Sequence, residues 1–176
     1  CHLLFPERKL LFEIIEKAAA EQVEITLVFS YIREYMLDYI TELLDEINRW
    51  CEEKRQSVEI VVNDWGMASL VKKSRRNLIP SLGILLNKRR KDPRIPFKKG
   101  EQKWFERNSL NAGFYRNFLE REYGIQRFEW ESCGYEQQIP PGKNSLHIPF
   151  YQTNTSQYCP LGAVCETGER GRQKLA

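Results

Sequence analysis

Apolar side chains return at helical spacing between Glu7 and Glu21, at Leu10, Leu11, Ile14, Ile15 and Ala18, with Pro6 just ahead of them. One face of a helix is therefore apolar, and proline suits a first turn because the N–H it lacks would be unpaired there. The pattern then changes at Glu24-Ile25-Thr26-Leu27-Val28-Phe29, a short run rich in β-branched and aromatic residues that predicts a strand. Ser30 is placed to cap a second helix, whose apolar face carries Met36, Ile40, Leu43, Ile47 and Trp50 out to about Lys54. Val58-Glu59-Ile60-Val61-Val62 predicts the next strand, ending at Asn63-Asp64-Trp65-Gly66.

A helical segment follows near Met67 to Lys73, and Leu82-Gly83-Ile84-Leu85-Leu86 predicts a third, buried strand before a loop from Asn87 to about Lys103. Leu110, Phe114, Phe118 and Leu119 predict one helix over Phe105 to Tyr123, stopped by Gly124. Ile125 to Trp130 and Leu146 to Phe150 predict two more strands. Strands alternating with helices indicate parallel βαβ units and the α/β class. The units are too few for a complete eight-stranded barrel of about 250 residues. The expectation is a partial (β/α) barrel in a single domain over 1–176.

Composition narrows the class without naming an activity. With 41% hydrophobic and 29% charged residues the chain is ordinary for a folded soluble protein, and no apolar run approaches the roughly 18–20 residues that cross a bilayer. No membrane span and a cytoplasmic location are expected. Five cysteines, an odd number without an export signal, argue for reduced thiols over a disulfide framework. The chain starts at Cys1 with no initiator methionine, which suggests processing or a fragment of a longer product. Charge is uneven: Lys72 to Lys103 holds twelve Lys or Arg against two acids, while the rest is net acidic. That basic stretch, with Trp104 and Phe105 close by, is a candidate surface for RNA or another polyanion, or simply a solvated face.

Asp64 has two readings at the end of its strand, as a binding or acid/base group or as a helix cap. Cys51 falls on the apolar side of the second helix and reads as a packed thiol. Cys133 closes a strand and is either buried or directed at a site. Cys159 and Cys165 lie in a polar, loop-like segment and are candidate ligands, although their spacing alone does not decide it. The two histidines, His2 and His147, form no recognisable protease motif, and neither a P-loop nor G-x-G-x-x-G is found.

Several motifs in order, Cys1-His2-Leu3-Leu4-Phe5-Pro6, then Val61-Val62-Asn63-Asp64-Trp65-Gly66, Leu82-Gly83-Ile84-Leu85-Leu86-Asn87-Lys88 with Asp92-Pro93-Arg94, and Thr153-Asn154-Thr155 before Cys159, resemble the collagenase-like peptidase U-32 family. The resemblance implies a barrel-like α/β fold and a [4Fe–4S] cluster serving oxygen-independent hydroxylation in ubiquinone synthesis or on RNA bases. Under it, Cys1 matches the early ligand, Cys159 the first late one and Cys165 a third. Cys133 is the fourth if it moves in, unless the chain once continued past Ala176. It also makes Asn63, Asp64, Asn87, Lys88 and Arg94 candidate substrate-binding residues and a related family subunit a heterodimer partner. Ile84 departs from the pattern, standing where an arginine is expected. Two alternatives accompany this reading: a peptidase, as the family label says, and a non-catalytic module that binds RNA or an acidic partner through the basic stretch.

Overall fold

A computed structural model describes residues 6–72, 75–89, 94–95 and 103–149. Five strands, β1 (Thr26–Val28), β2 (Val58–Val62), β3 (Leu78–Leu82), β4 (Arg127–Glu131) and β5 (Lys143–His147), form one sheet in chain order, with every neighbouring pair parallel. Between them run α1 (Arg8–Ala20), α2 (Leu37–Lys54), α3 (Trp65–Lys72), α4 (Lys103–Glu106) and α5 (Gly113–Tyr123), α1 preceding β1. Parallel strands in sequential order, each crossover having the same right hand, put their helices on one side of the sheet. The sheet curls away from them into a half-barrel, as the alternation predicts.

The helix-side face is apolar because alternate strand residues point to it: Ile60 and Val62 from β2, Leu78 and Leu82 from β3, Phe128 and Trp130 from β4. Against them pack Leu11 and Ile15 of α1, Ile40, Leu43, Leu44 and Ile47 of α2, and Met67, Ala68 and Val71 of α3. Asn48 of α2 completes the seam, its Oδ1 accepting from the Asn77 N–H at 3.2 Å just before β3. Arg75 is buried too. Its guanidinium donates to Asp45 Oδ1 at 2.8 Å and to the carbonyls of Leu70 and Thr41, so it ties α3 to α2.

Four expected boundaries move, each for a visible reason. β3 lies at Leu78–Leu82, not over Leu82 to Leu86. Pro80 disguises it, since proline offers no ladder donor and ordinarily argues against a central strand. After Leu82 the chain turns, with the N–H groups of Leu86 and Asn87 both donating to the Gly83 carbonyl at 3.1 Å. Ser30 does not cap α2, because the Ile32 N–H is held by Asp64 Oδ2 at 3.3 Å, Arg33 is extended, and a 3₁₀ turn over Glu34–Met36 leads into the helix.

The helix expected over Phe105 to Tyr123 is interrupted at Asn108. The Asn108 side chain accepts from the Leu110 N–H at 3.0 Å while its own N–H donates to Asn111 Oδ1 at 2.8 Å. That reciprocal cap opens a 3₁₀ turn over Ser109–Asn111 and restarts the chain at α5. Gly124 ends α5 with φ 71, the left-handed conformation that favours glycine. The last strand falls at Lys143–His147, three residues ahead of the apolar run, because Asn144 is fixed by the indole N–H of Trp130 at 2.7 Å.

Candidate functional site

In a parallel sheet of this kind, side chains at the carboxyl ends of the strands are free to meet a ligand, since the strand-to-helix loops there are not needed for the core. Here that end is built on asparagines. Asn63 follows β2 and is buried; its amide donates to the Phe29 carbonyl at 2.9 Å and its Oδ1 accepts from the Leu85 N–H at 3.1 Å. One side chain thus joins the ends of β1, β2 and β3. A Cβ on Gly83 would stand 2.2 Å from Asn63 Oδ1, so the close approach requires glycine at that position.

Asn87 is the counterpart on the other side, donating to the Glu129 carbonyl of β4 at 2.8 Å and accepting from the Asn108 amide. Both asparagines use donor and acceptor on the scaffold. Asp64 accepts from the Met67 N–H at 2.7 Å with one oxygen and from the Ile32 N–H with the other. It therefore fills the cap role, and its carboxylate is held by two backbone donors. Lys88 and Arg94, the other two binding candidates, are exposed.

Cys133 lies two residues beyond β4, half-buried, with its thiol directed at the Tyr135 carbonyl at 3.7 Å. Burial pushes the Tyr135 phenol upward, Arg89 opposing the shift and Cys133 adding to it. Arg89 donates to the carbonyls of Phe105 and Glu106 and lies 5.5 Å from the Trp130 ring and 5.9 Å from the Tyr135 ring. Cys1, Cys159 and Cys165 lie outside the described residues. Among the described residues no group of three His, Cys, Asp or Glu is arranged to hold a metal ion. Cys51 is fully buried in α2, and burial pushes its thiol up to about 11, so it is a packed and unreactive group.

Among the described residues of the basic stretch, Arg76, Lys88, Arg94 and Lys103 are exposed, and three others have partners within the fold. Arg75 and Arg89 are committed to carbonyls and acids within the fold, and Lys72 pairs with Glu122 at 3.6 Å over the Tyr123 ring. Trp104 is exposed, as a stacking platform would be, while Phe105 is half-buried.

Sequence reading overlooked the inner face of the sheet. Arg127, Glu129 and Glu131 alternate with apolar Phe128 and Trp130 along β4, a period-two signal that points the charged side chains away from the helices. Glu59, Ser81, Ser145 and His147 share this face through the ladder register. Arg127 Nε lies 3.4 Å from Glu59 Oε1 and its guanidinium donates to Ser145 Oγ at 2.9 and 3.1 Å; Thr26 Oγ1 donates to Glu59 Oε2 at 2.7 Å. Nearer the carboxyl end, the buried Glu129 lies 3.3 Å from His147 Nε2, and Glu131 is buried beside them.

Comparison with models of protein families, with curated proteins and with solved structures gave no match to this chain. No helix among the described residues is long and apolar enough to cross a membrane.

Proposed function

We propose that this chain is an iron–sulfur protein of the peptidase U-32 kind, acting in oxygen-independent hydroxylation or a related redox role, with a [4Fe–4S] cluster at the carboxyl ends of its strands. The ligands would be Cys1, Cys133, Cys159 and Cys165, thiolates being the soft donors that such a cluster takes. The observation that carries the reading is the position of Cys133, just past β4 and half-buried at the end of the sheet where barrel sites form.

Chain lengths agree with it. β5 ends at His147, twelve residues before Cys159, and an extended chain of that length reaches up to about 40 Å. α1 and α2 run back toward the amino ends of the strands, where their last turns and the starts of β1 and β2 line one cavity of about 230 Å³. The first turn of α1 is therefore at the opposite end, and Cys1 precedes Arg8 by seven residues. One described thiol and three within tether range are compatible with a four-thiolate set.

When bound, such a cluster supplies one-electron chemistry. The residues of this chain would shape its surroundings: Asn63 and Asn87 brace the strand ends, and Lys88 and Arg94, exposed after β3, would meet a substrate. A related subunit as partner belongs to the same proposal. The test is iron retention after purification without oxygen. Cys159→Ala should lose the iron while Cys51→Ala keeps it, and equal retention or equal loss in the two variants would sink the assignment.

A further inference from the structure

The opposite end of the half-barrel carries a second feature, independent of the cluster. A recess of about 390 Å³ opens on the inner face at the amino ends of the strands, lined by Glu24, Thr26, Glu59, Ile79, Arg127 and Lys143 among others. That volume falls in the range of about 300–1,000 Å³ typical of small-molecule sites. Arg127 and Lys143 are register partners on adjacent strands, which lie about 4.8 Å apart. Two like charges side by side repel each other, and Glu59 answers only the first of them. Lys143 is exposed and has no ion-pair partner among the described residues.

Arg127 is held in place by Glu59 and Ser145, so it faces the recess already ordered. Ile79 is 50% exposed on the same face and offers an apolar wall. The recess is also lined by the carboxylates Glu24 and Glu59, which would repel a second negative charge on any ligand.

We propose that this recess binds a small monocarboxylate with an apolar body, its carboxylate bridging Arg127 and Lys143 and its body resting on Ile79. An anion there relieves the repulsion between the paired cations and gains charge-assisted hydrogen bonds from both. The acids lining the recess select a single charge over a dianion.

The test uses the whole chain and phenylacetate, followed by saturation-transfer NMR and by the methyl resonances of Ile79. Phenylacetate should bind and shift the Ile79 methyls, neutral phenylacetamide should not, and inorganic phosphate should bind more weakly. Lys143→Gln alters an exposed side chain with no ion-pair partner among the described residues, so the fold stays intact; it should weaken phenylacetate about tenfold, the loss of one charge-assisted hydrogen bond. Absence of phenylacetate binding at millimolar concentration, equal binding of phenylacetamide, phosphate binding as tight as phenylacetate, or no effect of Lys143→Gln would each overturn the proposal.

Discussion

The two faces of this sheet are made from the same strands and differ by one step in the alternation. Residues of one parity, Ile60, Leu82, Phe128 and Trp130, meet α1, α2 and α3 and form a dry apolar layer. Those of the other parity include Glu59, Ser81, Arg127, Glu129 and Glu131 beside apolar Val61 and Ile79, and form a largely polar inner face with ion pairs and hydroxyls among its contacts. Purely parallel sheets ordinarily read as continuous apolar runs, because both of their faces are covered by hydrocarbon. The departure in β4 marks the inner face as a place for polar chemistry, while the outer face provides the stability that lets it be polar.

The comparison breaks first on the apolar side. Trp130→Ala empties the largest buried side chain of the helix-side layer and should cost about 3–5 kcal/mol, read as a lower urea midpoint. Gly83→Ala comes next, since its Cβ would displace the Asn63 amide and break its hydrogen bonds with the Phe29 carbonyl and the Leu85 N–H; a loss of about 2–3 kcal/mol is expected. Asp64→Ala removes the cap of α3 and should cost about 1 kcal/mol. Retained stability in Gly83→Ala would mean that Asn63 does not bind the three strand ends together. Lys143→Gln on the polar inner face should leave the urea midpoint within about 0.5 kcal/mol, so that a large loss there would erase the distinction between the faces.

The smallest effect is one of pH. Glu16 lies under Lys54 and the Trp50 indole N–H, which together hold its carboxyl below the usual carboxylate range. A carboxyl lowered on folding stabilises the native state above its unfolded value of 4.5, and that contribution is lost as the pH falls through the lowered folded value. Because Glu16 is exposed to solvent the effect is small and salt-sensitive. Glu16→Gln should flatten the acid limb of the stability profile slightly, measured by urea unfolding between neutral pH and the acid transition.

The parallel half-barrel was legible in the sequence because β2 and the helices around it carry strong periodic signals. Val58–Val62 falls where the pattern predicts it, and α1 and α3 lie within a residue or two of expectation. β3 was hidden by Pro80 and by an apolar run that continues into a turn, so hydrophobicity alone could not separate Leu82 from Leu86. The break at Asn108 depends on a reciprocal cap with Asn111, a pair that composition does not distinguish from ordinary helix surface.

At the candidate site, Asn63, Asp64 and Asn87 were visible as residue types at strand ends, but their use as braces and cap required long-range partners: Phe29, Ile32 and Glu129. The polar parity of β4 was in plain view as Arg127-Phe128-Glu129-Trp130-Glu131. Its meaning depends on knowing which face the helices cover, and only the topology supplies that.

The measurement that tests the central functional claim most directly is the iron and acid-labile sulfide content of the whole chain purified without oxygen, together with its visible absorption. The account predicts a brown protein with about four iron and four sulfide per chain, whose colour bleaches in air. A colourless chain that takes up neither, even after anaerobic reconstitution with iron and sulfide, would contradict it.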